Sequence, residues 1–495
     1  GASLGTLVAV RFQGCCSAIR VARSESGMIL CVPSRFEEAA MDLGLGYFND
    51  ARRERCGEFV AERMVERQTV CVRKLGDGRA EQARVLRFLA NEAVTVEEMV
   101  SHRATFVAPA AKGRHALAIQ DTSEINYQAQ KGRKQRLGKV GNGTDVGLFV
   151  HPVLGVDADT GECLGLIDAQ VWRRTKSKAA NYKALPIEQK ESYRWLIGGE
   201  HAKAVLAEAA VVTVIDDREA DIYEKWDRLP DANTHLLTRA SRDRALADGG
   251  RLFPALANFP EAHRFTFDVP ARPGKQRARQ ACMAVRFGRV RIRRPAACSD
   301  RNASSELELF AIEVRELNPP PGQTQILWRL LTTHRVETVE QALTVIGWYR
   351  LRWNIEQLFR TLKRQGLRVE ESVIEDGEAL EKLVVIALIV ATITMQLVLA
   401  FTAGSQGPPA SRVFDAGQIE VMRALQKKLQ GRTTKQKNPH PPDSLAWAAW
   451  TIARLGGWTG YDSDHSTGPI TIRDGIERFA GIADGYKLAK DVCPS

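Results

Sequence analysis

In the stretch WYRLRWNIEQLFRTLKRQG, residues 348–366, a single carboxylate, Glu356, sits among five cationic side chains. A helix turns the side chain by about 100° per residue, so Tyr349, Arg352, Glu356 and Lys363 would share an arc of roughly 60°. Leu351, Ile355, Leu358, Phe359 and Leu362 fill the neighbouring arc and can pack into a core. The surrounding positive charge favours an ionised Glu356. A solvated helix laced with salt bridges has the same pattern. Two further carboxylates close apolar runs, Asp121 at the end of LAIQD and Asp217 at the end of VVTVIDD. Either alone also suits a helix cap or a turn. In open α/β sheets, however, reactive groups gather beyond the carboxyl ends of central strands. Three hard oxygen ligands suit Mg²⁺, with Mn²⁺ as a substitute. Two such ions about 3.5–4 Å apart could activate an attacking oxygen and stabilise the leaving oxygen of a phosphodiester. The cations beside Glu356 would then hold phosphates.

Other chemistries find no footing. The chain has no GxxxxGK[ST] phosphate loop and no HExxH zinc motif. Its nine cysteines include no CxxC pair, which argues against a disulfide framework or a structural zinc and fits a reducing, cytoplasmic location. The net charge is +11 over 495 residues, which favours a polyanionic partner, nucleic acid before membrane. Residues 1–30 lack a basic segment followed by an apolar one, so no signal peptide is expected.

Elements must bring the three carboxylates together. Residues 34–103 read as short helices, with Asn49 or Asp50 as an N-cap and the basic run DARRER as a solvated face or a DNA contact. From about 105, strands alternate with helices: strands at 115–121, 146–157, 163–172 and 211–217, helices at 202–209 and 218–229. Residues 234–335 read as an inserted β region, with Arg289, Arg291 and Arg293 on one strand face beside the basic loop 271–279, an arrangement suited to phosphate contacts. The apolar run 383–403 is long enough to cross a bilayer, but Thr392, Thr394 and Gln396 interrupt it, and a buried central helix is expected. A basic, loop-like linker at 422–444 leads to a final helical region opening with LAWAAWTIARLGGW.

With Tyr349, Arg352, Glu356 and Lys363 spaced as Y-x2-R-x3-E-x6-K, the chain resembles the DDE transposases of the insertion-sequence-four group, the group that includes the transposon-five transposase. DDREADIYE (216–224) and AIQDTSEINY (118–127) resemble its second and first aspartate motifs. KESYRWL, LNPPPGQTQILWRLLTT and LAWAAWTIARLGGW follow the same order along the chain. The resemblance implies an α/β, ribonuclease H-like catalytic core with a β-strand insertion, flanked by helical regions. It implies these boundaries: 1–33 unassigned, 34–103 a transposon-end DNA-binding region, 104–402 the catalytic domain with its insertion at about 234–335, and 403–495 a basic linker and dimerisation region. Asp121, Asp217 and Glu356 become the catalytic, Mg²⁺-binding triad. Tyr349, Arg352, Lys363 and Arg239 become DNA contacts, and Trp328 the platform on which a flipped base stacks. The partners implied are transposon-end and target DNA and a second copy in a synaptic complex, with no membrane and a location on the bacterial nucleoid. The activity implied is cut-and-paste transposition through a hairpin intermediate. A catalytically silent DNA-binding inhibitor, or a nuclease of the same fold without strand transfer, is the alternative.

Overall fold

The computed structural model describes residues 43–174, 181–269, 277–403, 407–461 and 467–492. The segment 1–33, the start of the helical region expected at 34–103, and most of the basic loop 271–279 lie outside these residues.

Five strands make the centre: β1 (His115–Gln120), β2 (Ser123–Asn126), β3 (Gly138–Val140), β4 (Asp145–Asp157) and β5 (Cys163–Trp172) are followed by β6 (Val211–Asp216) and β7 (Thr234–Arg239), and of these β5-β4-β1-β6-β7 lie side by side. β4 runs antiparallel to β1 and β5, whereas β1, β6 and β7 are mutually parallel. This is a ribonuclease H-like order. Small strands β2 and β3 pair with the near end of β4. Beyond β7 the sheet continues through β8 (His263–Val269), β9 (Arg279–Arg293), β10 (Glu306–Leu317) and β11 (Leu327–Thr332), in the order β7-β11-β10-β9-β8. β7 therefore belongs to the parallel centre, and the added hairpin strands hang from its edge.

Side chains alternate across a strand, and both faces of the centre are covered. Leu117 and Ile119 face one core, together with Ile215 and Leu237, while Ala116, Ala118, Val212 and Val214 face the other. That double burial accounts for the unbroken apolar runs of β1 and β6. Four N-terminal helices, α1 (Ala51–Arg67), α2 (Val72–Leu75), α3 (Arg79–Ala90) and α4 (Val96–Ala111), precede β1. Asp50 caps α1 by accepting from the Arg52 amide, and Thr95 caps α4. α5 (Arg194–Val205) and α6 (Tyr223–Arg228) precede and follow β6, and α7 (Leu252–Asn258) precedes β8. After β11 come α8 (Val339–Leu351), α9 (Trp353–Leu362), α10 (Gly377–Ala403), α11 (Ala416–Leu429), α12 (Leu445–Leu455) and α13 (Pro469–Val492). α10 is apolar all round and lies almost wholly inside the protein, among α9, α12, α13 and the N-terminal helices. Its length serves the core.

Three expectations shift. The helix expected at 202–209 is α5, which begins eight residues earlier and ends at Val205. The helix expected at 218–229 is interrupted at Asp221, whose buried carboxylate accepts from the Ser241 and Arg242 amides and from Arg244, and so holds the loop after β7 instead of extending a helix. The stretch 348–366 is two helices joined at Arg352. There the Arg352 amide donates to the Tyr349 carbonyl and the Ile355 amide to the Arg352 carbonyl, both i→i−3 bonds that tighten the turn. Lys363 lies just past the end of α9.

Candidate active site

The parallel ladder of β1 and β6 sets the site. Ile119 lies opposite Ile215, so two residues further on Asp121 and Asp217 emerge from neighbouring strands at the same level. Adjacent strands are about 5 Å apart, so both carboxylates open into one space beyond the sheet. Glu356 occupies the first turn of α9, where the helix dipole favours an anion. Arg352 ties the three together. Its Nη1 donates to Oδ2 of Asp121 at 3.2 Å and its Nη2 to Oε1 of Glu356 at 2.6 Å. Asp217 also lies within the guanidinium's electrostatic reach.

The charges are not balanced. Burial pushes the Asp121 carboxyl up to about 7; the Thr122 amide, donating at 2.8 Å, and Arg352 pull it back, and the charges of Asp217 and Glu356 raise it further. Asp121 and Glu356 share the Arg352 guanidinium, and Asp217 is within reach of it and of Arg239, so the carboxylates outnumber the cations beside them, an arrangement that a further cation would relieve. Among the described residues no three His, Cys, Asp or Glu side chains are drawn in tightly enough to hold a metal ion as they stand. The donor set nonetheless fits a hard divalent cation: it is all oxygen and anionic, and burial holds Asp121 towards its protonated form.

Of the other residues singled out in the sequence, Tyr349, Arg239 and Trp328 fall into the same region. Tyr349, on α8, is buried, and its hydroxyl makes no well-formed hydrogen bond although the Arg239 and Arg352 guanidinium groups face it. Burial raises its phenol. Arg239, at the end of β7, donates to the Leu327 carbonyl at 2.8 Å. Trp328, on β11, is half-buried, with its ring 5.9 Å from that of Tyr349 and 5.7 Å from that of Phe267. Lys363 is set apart from the carboxylates and reaches Glu370 at 3.7 Å, its amine pulled down by burial.

Sequence reasoning chose Asp217 over its neighbour Asp216 only through the resemblance of DDREADIYE to the second aspartate motif. Asp216 is fully buried on β6, where it is ion-paired with Lys225 and accepts from Thr238 and Gln120. Asp217 alone is free to face outwards. The polar residues behind the site, Gln120, Thr122, His151 and Arg194, were also missed. Gln120 and His151 interrupt otherwise apolar runs, and a polar group buried in such a run needs partners; that was the available signal. The strand-face arginines expected to meet phosphates are paired instead: Arg289 with Glu308 and Arg291 with Glu306, each at 3.1 Å, while Arg293 donates to the Ala247 carbonyl.

A solved piggyBac transposase synaptic complex with hairpin DNA superposes on 87% of this chain and 76% of its own, at 9% identity and a TM-score of 0.37, too distant to bear on function. A family model described as Transposase DDE domain matches residues 159–393, a little under half of the chain. That span runs from the turn before β5 into α10; it includes Asp217 and Glu356 and starts after Asp121. It is to the transposase DDE domain, then, that the central part of this chain, with two of its three site carboxylates, is similar.

Proposed function

We infer that the protein is a DDE transposase of the insertion-sequence-four group, acting on DNA in the cytoplasm as a dimer. It would cut transposon ends through a hairpin intermediate and join them to target DNA. The observation that carries the reading is the in-register emergence of Asp121 and Asp217 from parallel strands, with Glu356 sharing the Arg352 guanidinium with Asp121.

Asp121, Asp217 and Glu356 would hold Mg²⁺, or Mn²⁺ in its place. Bound there, such ions supply Lewis-acid activation of the attacking oxygen and neutralise charge on the leaving one. The protein's own groups do the rest. Arg352, Arg239 and Tyr349 lie beside the carboxylates and would orient the scissile phosphate by charge and hydrogen bonding. Trp328, half-buried beside Tyr349, would offer its ring as a stacking platform for an unpaired base. Lys363 would hold the backbone further along. The net charge of +11 supplies long-range attraction for DNA.

The test uses purified protein, Mg²⁺ and a plasmid carrying the inverted repeats that flank the coding region. Excision, ends that run as hairpins on a denaturing gel, and integration into a second plasmid support the reading. Cleavage without integration would leave only a nuclease, and binding without cleavage only a DNA-binding inhibitor.

A further inference from the structure

Beneath the carboxylates runs a buried chain of hydrogen bonds. Arg194 Nε donates to Thr122 Oγ1 at 2.9 Å, and Thr122 Oγ1 lies 2.9 Å from His151 Nδ1. His151 Nε2 lies 2.9 Å from Gln120 Oε1, and Gln120 Nε2 donates to Asp216 Oδ1 at 2.8 Å and to the Trp195 carbonyl at 3.1 Å. The amide oxygen of Gln120 can only accept, so His151 carries its proton on Nε2 and its bare Nδ1 accepts from the Thr122 hydroxyl. Every donor in the chain therefore points one way, from the Arg194 cation to the Asp216 anion, where Lys225 and Thr238 close it. Gln120, His151 and Asp216 are fully buried. Space for the Gln120 amide depends on Gly198 in α5, where a Cβ would run into its Oε1.

The two ends of the chain adjoin the two aspartates. Thr122 follows Asp121 and gives it its amide hydrogen; Asp216 precedes Asp217. The Gln120–Asp216 bond lies one residue beyond the last backbone pair of β1 and β6, Ile119 with Ile215. It continues, in side chains, a ladder that the backbone no longer provides.

We propose that Gln120 and Thr122 are positioning residues: through His151 and Asp216 they fix the spacing and orientation of the Asp121 and Asp217 carboxylates for divalent-ion binding. The inference rests on the proposed function of those carboxylates. Partners behind metal ligands are typically worth about 10- to 100-fold in affinity.

Mn²⁺ binding by the full chain, followed by electron paramagnetic resonance without DNA, tests it. Asp121→Asn combined with Asp217→Asn serves as the control for the site itself. Gln120→Leu and Thr122→Val should each weaken Mn²⁺ binding about tenfold or more, whereas Thr122→Ser, which keeps the hydroxyl, should bind like the wild type. Affinity for duplex DNA should stay unchanged in all three. If Gln120→Leu does not fold, the Val and Ser variants at Thr122 decide alone. Wild-type Mn²⁺ affinity in Thr122→Val, or equal losses in Thr122→Val and Thr122→Ser, overturns the positioning role. A wild type that binds no more Mn²⁺ than the double Asn control overturns the site reading itself, and this inference with it.

Discussion

The carboxyl end of the parallel strands and the added β8–β11 sheet use the same side chains to opposite ends. In the added sheet the arginines are matched. Arg289 and Arg291 of β9 pair with Glu308 and Glu306 of β10, and the buried Glu316 takes Arg279. At the site three carboxylates outnumber the two guanidinium groups beside them, Arg352 and Arg239, and burial pushes Asp121 up to about 7. Balanced charge holds a sheet together; unbalanced, half-buried charge costs stability and is kept where an ion or a phosphate completes it.

Breaking each side of that contrast should give effects of different kinds. The largest fall on the unbalanced side: Asp121→Asn, Asp217→Asn or Glu356→Gln should remove Mg²⁺-dependent DNA cleavage to the limit of detection, while duplex binding, measured by fluorescence anisotropy, persists. On the balanced side, Glu316→Gln leaves Arg279 facing a buried neutral amide and should lower stability by about 3 kcal/mol, read by denaturant unfolding. The same change at the unbalanced site runs the other way. The Asp121 carboxyl, raised from its ordinary 3.8 to about 7, holds its proton more tightly when folded than when unfolded. Its cost is absent below pH 4, grows as pH rises, and is complete above pH 7. Asp121→Asn should therefore raise the melting temperature at pH 8, by a gain on the order of 2 kcal/mol, and leave it unchanged at pH 4. Calorimetry across that range decides the sign, and loss of stability at pH 8 would count against the imbalance. The smallest effect belongs to the exposed pairs: Glu308→Gln should cost less than about 1 kcal/mol, and 1 M salt should erase it.

How far the molecule could be read beforehand follows the same division. The runs LAIQD and VVTVIDD announced central strands because both faces of those strands are buried, and their closing aspartates, Asp121 and Asp217, announced the site. The two faces of the 348–366 stretch were legible from its period. The break at Arg352 was not, because nothing in that stretch forbids a continuous helix and the tightened turn is set within the packed site. Asp216 and Asp217 were told apart only by the resemblance; the physical difference, that Asp216 is engaged by Lys225, nine residues on, and by Gln120, on another strand, was not legible in the run itself. The strand-face arginines misled for a related reason: their glutamates lie on β10, and a cross-strand partner is invisible to a one-strand pattern.

The central claim is that Asp121, Asp217 and Glu356 form one divalent-ion site. A crystal soaked in Mn²⁺, with an anomalous difference map collected near the manganese edge, tests it most directly. The account predicts an anomalous peak within coordination distance of oxygens from all three residues, with Arg352 moved off at least one of them. Peaks confined to other acidic surfaces, with Arg352 still bridging Asp121 and Glu356, would contradict it.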